Sequence, residues 1–404
     1  MKYRKIGEVT NKVSTWNPKT LSQEIKFTYI DLGSVDQKNK EIGRTEEIQS
    51  SQAPSRARQV VRDGDVLIST VRPNLNGVAI VPADLDGATA STGFCVLRPG
   101  EEVDSSYLLH WVQTSSFVND MCLKATGQSY PAVSDKIIKS SLIPLPNITI
   151  QRNISSLLNE VSTLRSRMRR SIELLDELTQ SIFLDMFGDP VANTRSWPRK
   201  KLGDLVESID SGKSPKCHST PAGEGEWGVL KLGAVTSCEY LPGENKALPS
   251  TEDFNPAHEV RPGDLLFTRK NTPELVAACA LVNDTPPQLL MPDLIFRINL
   301  KSGSPLTKNY LHRLLIHPTK RRKVQELAGG SAASMVNISK SRLLGLSIEI
   351  PPSHLQEEFD SRIRAIQELK LEQTAHLSHL DELFASVQQR AFDGTLWDDR
   401  DITV

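Results

Sequence analysis

The sequence predicts an α+β fold built twice: two similar mixed modules, each followed by a long helix, with the two helices pairing antiparallel in a pseudo-twofold duplication. Three observations predict it. Leu175-Asp176-Glu177-Leu178 returns as Leu380-Asp381-Glu382-Leu383, a shift of 205, and the same shift carries Ser134, Ile143, Pro146, Gln151, Ser181 and Phe187 onto Ser339, Ile348, Pro351, Gln356, Ser386 and Phe392. Upstream the halves still correspond with drifting gaps. Lys5-Ile6-Gly7-Glu8-Val9 answers Lys201-Leu202-Gly203-Asp204-Leu205, Leu32-Gly33 answers Leu232-Gly233, and Gly64-Asp65-Val66-Leu67 answers Gly263-Asp264-Leu265-Leu266. Third, each copy ends in an apolar heptad pattern. Two copies are too few for a solenoid, so the duplication implies a twofold molecule suited to a ligand with two related halves.

Taken in order, residues 1–150 form the first module. Short β runs broken by Pro and Gly are expected at 27–32, 65–71, 77–81 and 93–97, then a helix over 106–124 ended by Gly127. Residues 151–186 contain no Gly or Pro, and the spacing predicts one long helix within 151–190. Its seam has Ile154, Val161, Met168, Leu175 and Ile182 at one heptad position and Leu157, Leu164 and Leu178 at the other. At about 1.5 Å per residue, residues 154–185 would span about 48 Å, or roughly 14 base pairs. The second module, 191–352, repeats the plan, with strands at 228–232, 264–268, 276–282 and 294–298 and a helix over 307–328 ended by Gly329-Gly330. The second helix and a tail occupy 353–404, with Phe359, Ile366, Leu380 and Val387 on one line and Leu369 and Leu383 on the other. Gln373 and His376 interrupt that seam, either fixing register or marking a local flaw.

With 404 residues, 38% hydrophobic and 24% charged, the chain has material for two sizeable cores. A formal net charge of -1 gives no global argument for nucleic acid, so any such role needs local basic faces. The cysteines, Cys95, Cys122, Cys217, Cys238 and Cys279, are odd in number and form no CxxC pair, which fits a reducing compartment. Neither a bilayer-length apolar run nor a signal-peptide core is visible, and a cytoplasmic location is expected.

Alternating α+β modules and long repeated helices resemble the specificity subunit of type I restriction-modification systems. Leu174-Leu175-Asp176-Glu177-Leu178 with Phe187-Gly188-Asp189-Pro190 is similar to the end of that family's first helical spacer, and residues 383–394 to the end of its second. Ser211-Gly212-Lys213-Ser214-Pro215, leading to Trp227 and Leu230-Lys231-Leu232-Gly233, is similar to the opening of its target recognition domains. Gly263-Asp264-Leu265-Leu266 and Thr92-Gly93-Phe94-Cys95-Val96-Leu97-Arg98-Pro99 resemble further stretches of those domains. The first module departs at its opening, with Ser14-Thr15-Trp16-Asn17-Pro18, which makes the two modules different readers. The resemblance implies that each module is a target recognition domain reading half of a bipartite double-stranded DNA sequence. It also implies that the paired helices fix their separation, and that two modification subunits dock here, with restriction subunits joining through them. No cofactor is then expected on this chain. S-adenosylmethionine belongs to the modification subunits, and ATP and Mg2+ to the restriction subunits.

The residues offer little catalytic chemistry. Asp284-Thr285-Pro286-Pro287-Gln288 superficially resembles the loop of amino-methyltransferases, but a threonine intrudes and the aromatic is missing. Gly212-Lys213-Ser214 lacks the leading glycine of a phosphate loop, with Glu207 in its place. Cys217-His218 has no second ligand pair at zinc spacing. No catalytic or metal residue is therefore assigned, and the chain is read as a non-enzyme.

Sequence-specific DNA binding needs cations for phosphates and planar amides or guanidinia for base edges. Loops after corresponding strands supply them: Arg72, Asn74 and Asn76 in the first half, Arg269, Lys270 and Asn271 in the second. Loops after the late helix supply Gln128, Ser129 and Tyr130, and Ser331. Lys213, Arg321, Arg322 and Lys340 complete the candidates, with the Lys320-Arg321-Arg322-Lys323 run giving the second module a basic face. Each has a bland alternative, a solvated turn, a helix cap or a solvated helix face. The rival reading is a coiled-coil scaffold whose modules bind proteins, for which loop substitutions would leave DNA target choice unchanged.

Overall fold

The computed structural model describes residues 2–329 and 335–396. Contacts divide the chain into two compact units, residues 1–171 with 373–404, and residues 172–372. Each unit therefore owns one module and half of each long helix.

In the first unit an antiparallel sheet has the order Thr10–Asn11, Phe94–Pro99, Val66–Ser69, Val78–Ile80. Phe94 pairs with Ser69 and Leu97 with Val66. Strand alternation sends Val66, Ile68, Cys95 and Leu97 into a core shared with Tyr107, Leu108 and Val112. Leu67, Phe94 and Val96 point the other way, against Ile30 and Ala90 of a second sheet, ordered Glu46–Gln49, Lys26–Ile30, Thr89–Ser91, Ala57–Val60. Such strands are apolar on both faces, which is why they read as continuous runs in the sequence.

The second unit repeats the plan. Its antiparallel sheet runs Val206–Ser211, Ile295–Leu300, Leu265–Thr268, Cys279–Leu281. Leu265, Phe267, Cys279, Phe296 and Ile298 enter the helix-side core, and Leu266, Ala280 and Ile295 the opposite one. Asp65 and Asp264 of the repeated Gly-Asp motif each close on a strand arginine. Arg98 Nη2 lies 2.7 Å from Asp65 Oδ2, and Arg297 Nε 3.3 Å from Asp264 Oδ2. The motif is thus a structural ion pair in both copies.

The late helix expected over 106–124 is two helices, Ser105–Val112 and Ser115–Lys124. Thr114 breaks it by adopting extended backbone and accepting the Phe117 N–H on its side chain. The helix expected over 307–328 is likewise split, into Lys308–Ile316 and Pro318–Gln325, because Pro318 cannot continue the ladder but suits a first turn.

The long helices span Ile148–Phe187 and Ser353–Phe392. Within the first unit they run antiparallel: Arg165 meets Asp381, while Ile150 and Ile154 share a core with Phe392. Within the second unit Lys370 meets Asp176, and Phe183 and Phe187 pack on Phe359. One line of the seam lies as expected, with Ile154, Val161 and Phe359 buried and Met168, Leu175, Ile182, Ile366, Leu380 and Val387 half-buried. The other line is different. Leu157 is half-buried, but Leu164, Leu178, Leu369 and Leu383 are 43–47% exposed. Their place is taken four residues after each first-line position, by Leu158, Arg165, Ile172 and Thr179, and by Ile363, Lys370, Leu377 and Phe384. A heptad pattern is satisfied by either side of its main line, and here the side with the ion pairs is the one turned inward.

Candidate nucleic-acid interface

In each half the strand-end loop that the sequence nominates is joined to the segment that follows the late helices. In the first unit, Val71 bridges Ala132, the Arg72 N–H donates to the Pro131 carbonyl at 2.7 Å, and the Val133 N–H to the Thr70 carbonyl at 2.9 Å. Arg72 and Asn76 both hold left-handed backbone, at φ 51° and 45°. For a non-glycine residue this costs about 1 kcal/mol, and such strain concentrates at functional sites. The Arg72 guanidinium lies 4.9 Å from the ring centroid of Tyr130, itself 69% exposed. Stacking restricts the guanidinium plane while leaving its edge in solvent. Asn74, Gln128 and Ser129 are also exposed, and Asn76 is half-buried.

The second unit makes the same join with other side chains. Lys270–Asn271 pairs antiparallel with Val336–Asn337, and the Ile338 N–H donates to the Arg269 carbonyl at 2.8 Å. The Arg269 guanidinium lies over Phe296 and its Nε donates to Asn337 Oδ1 at 3.1 Å, while the Lys340 ammonium reaches the same ring at 5.7 Å. Lys340, Arg322 and Lys213 are exposed, and Arg269 and Lys270 half-buried. Asn271 is corrected from reader to scaffold. It is 6% exposed and occupied, its Nδ2 donating to Thr236 Oγ1 and its Oδ1 accepting the Thr272 N–H. Ser331 lies outside the described residues.

The basic run 320–323 does not present one face. Lys320 is buried, donating to Glu349 at 2.6 Å and to the Ser347 carbonyl, and burial lowers its pKa. Arg321 turns inward, its guanidinium donating to the Leu275 carbonyl at 3.3 Å and to Cys238 Sγ at 3.5 Å. Lys323 pairs with Glu326, and Arg322 alone of the four is both exposed and without a described partner. A run of charges on a short amphipathic helix must cross the helix's buried stripe, which is why it divides.

Sequence reasoning missed one segment of the first unit. Val35–Asp36 and Glu41–Ile42 form a hairpin whose tip, 37–40, carries Gln37, Lys38, Asn39 and Lys40. Lys40, left-handed at φ 60°, donates its ammonium to the Asn76 carbonyl at 2.6 Å, and burial lowers its pKa. The signal was Asp36 three residues before Asn39, a turn in which the carboxylate accepts the Lys38 and Asn39 N–H groups at 2.8 and 3.1 Å. Two-residue strands leave no alternation to read.

Gly212 of the phosphate-loop-like stretch is explained by packing: a Cβ there would lie 1.7 Å from the Met291 carbonyl oxygen. Ser214 is hydrogen-bonded to Asp293. Among the described residues no cluster of three or more His, Cys, Asp or Glu is placed to hold a metal, and no helix is long and apolar enough to cross a membrane.

Two modules with one scaffold and different exposed loops, each joined to paired helices, define a duplicated two-module protein. A family model described as the type I restriction modification DNA specificity domain matches residues 1–175. The specificity subunit of the type I restriction enzyme EcoEI of Escherichia coli is 34% identical over 168 residues, 41% of this chain and 28% of that protein. The EcoKI specificity subunit of Escherichia coli strain K12 is 23% identical over 325 residues, 75% of this chain and 68% of that one. The alignment thus spans under a third of the first relative and about two thirds of the second. A structure titled as the basis of complex assembly and conformational transition of the type I R-M system matches at TM-score 0.55 and 27% identity, covering 98% of both chains. The type I S subunit of M. genitalium, 14% identical at TM-score 0.56, shares the fold over 97% of this chain and 96% of its own. The chain is thus similar to the specificity subunits of type I restriction-modification systems, over residues 1–175 by the family model and over nearly its whole length by fold.

Proposed function

We propose that this chain is the non-catalytic DNA reader of a type I restriction-modification complex. Each module reads one half of a bipartite duplex target, and the paired helices set the spacing of the halves. Two modification subunits dock on the chain and carry S-adenosylmethionine and the chemistry. Restriction subunits, with ATP and Mg2+, join through them, and the complex works in the cytoplasm.

The observation that supports this reading is a scaffold kept in duplicate while its exposed loops differ. The join between the strand-end loop and the post-helix loop recurs, but Arg72 on Tyr130 stands in one copy and Arg269 with Lys340 on Phe296 in the other. A protein that reads two different half-sites needs that combination: positioned backbone, and base-reading groups that vary. Engaging both halves at once raises affinity through effective concentration, so one half-site alone binds poorly.

Replacing residues 1–146 with the corresponding module of a relative, in the assembled complex, tests the reading. A reader acquires a target changed in one half only. A scaffold keeps its target unchanged.

A further inference from the structure

We infer that the 35–42 hairpin is a second DNA-reading arm of the first module, acting with the Arg72 loop on one stretch of duplex. The inference rests on the DNA-reading role proposed above and extends it to residues with no part in the sequence-based assignment.

The hairpin is clamped to the Arg72 loop. Lys40 spends its ammonium on the Asn76 carbonyl, and Asn76 ends the short turn Pro73–Leu75 that begins immediately after Arg72. Gly77, next in the chain, lies against Gln37: a Cβ on Gly77 would stand 3.8 Å from Gln37 Cγ. Arg72 is held from its other side by the Pro131 carbonyl and Tyr130. Three left-handed non-glycine residues, Lys40, Arg72 and Asn76, thus meet at one join. Their combined strain persists because hydrogen bonds from separate segments fix them.

The tip is chemically a reader. Gln37, Lys38 and Asn39 are exposed. Among the described residues the Gln37 amide has no hydrogen-bond partner, and an amide matches the adjacent acceptor and donor of adenine in the major groove. Asn39 is partly committed, its Nδ2 donating to Asp36 Oδ2 at 2.8 Å, so its free oxygen is an acceptor. Of the hairpin's two carboxylates, Asp36 is turned into the tip by those bonds, which hold its carboxyl below the usual range, and Glu41, paired opposite it, is exposed. Lys38 is left as the phosphate-contacting cation. A two-stranded ribbon fits the major groove, which is the width such an arm requires.

The second module builds this region differently. At the corresponding Leu232-Gly233 stretch the chain enters the helix Gly233–Thr236 instead of a hairpin. The arm therefore belongs to the first half-site alone.

The test uses the full chain in complex with its cognate modification subunits and a pool of random-sequence duplex DNA. Bound sequences are read out for the native protein, Gln37→Ala, Lys38→Ala and Arg72→Ala. Gln37→Ala should relax base preference at one or two positions of the first half-site, by about 5- to 150-fold in discrimination. Lys38→Ala should weaken binding evenly across sequences and reduce the slope of log affinity against log salt by about one. The second half-site serves as the internal control for folding and should be unchanged in both. If neither hairpin substitution alters preference or salt slope while Arg72→Ala alters the first half-site, the arm is refuted and the DNA-reading role stands. If Arg72→Ala also leaves both half-sites intact, the assignment of these loops as readers fails with it.

Discussion

Gln151 and Gln356 lie 205 residues apart and make the same three side-chain hydrogen bonds. Gln151 Nε2 donates to the Glu102 and Pro146 carbonyls, and its Oε1 accepts the Asp104 N–H. Gln356 Nε2 donates to the Pro305 and Pro351 carbonyls, and its Oε1 accepts the Thr307 N–H. Asp104 and Thr307 are the N-caps of the helices Ser105–Val112 and Lys308–Ile316, so each glutamine ties a long helix to its module. One further bond has exchanged partners between copies. Ser155 Oγ donates to Asp104 in the first, and Thr307 Oγ1 donates to Asp360 in the second. A hydroxyl and a carboxylate have swapped sides with the contact kept.

Both glutamines are fully buried, so removing either amide strands three backbone groups away from water. Gln151→Ala and Gln356→Ala are each expected to cost about 2–4 kcal/mol. Denaturant unfolding should show the loss in the module that carries the substitution.

Gly212→Ala should be far more damaging than its loop-like sequence suggests, since the added carbon overlaps the Met291 carbonyl. Gly225→Ala is the control. Its φ of 79° strains alanine by about 1 kcal/mol, but nothing lies within 4 Å. Thermal unfolding of the two variants separates a packing glycine from a merely conformational one.

Acid should destabilise the second unit through His312. Burial pushes this imidazole from 6.5 to about 4, and its Nε2 is held by the Cys279 and Cys238 carbonyls at 3.0 and 3.3 Å. The folded state keeps it neutral while the unfolded state takes up a proton below 6.5. Stability is therefore whole above pH 6.5, falls as pH drops from 6.5 toward 4, and loses about 3 kcal/mol in all. Unfolding free energies measured across that window should flatten for His312→Gln relative to the native chain.

Arg72 and Arg321 should behave oppositely on replacement by alanine. Arg72 is exposed at a loop join, so its loss should change base preference and leave unfolding within about 0.5 kcal/mol. Arg321 is half-buried and donates to the Leu275 carbonyl and Cys238 Sγ, so its loss should lower stability by about 1–2 kcal/mol and leave base preference alone. Denaturation and sequence selection on the same two proteins check both halves of the statement.

The duplication, the module order and the long helices were legible because they are written in repeated apolar residues, which burial constrains most. The face of the helix pair was not. Leu164, Leu178, Leu369 and Leu383 look like core but stay exposed, while Arg165 and Lys370 turn inward to meet Asp381 and Asp176. Charge pairing between segments some two hundred residues apart leaves no local pattern. The candidate loops were half legible. Strand-end position nominates Arg72 and Arg269, but only the fold distinguishes exposed Arg72 from buried Asn271, and exposed Arg322 from inward-facing Arg321. The 35–42 hairpin was invisible for a simpler reason: its strands are two residues long, and its join to Asn76 runs through a carbonyl that every residue possesses.

The central claim is that this chain chooses the DNA sequence on which a partner acts. Mapping methylation across genomic DNA from cells that carry the cognate modification subunit, with and without this chain, tests it most directly. The account predicts a bipartite adenine-methylated motif that appears only when the chain is present. Identical methylation in both, with the complex assembled and the modification subunit active, would contradict it.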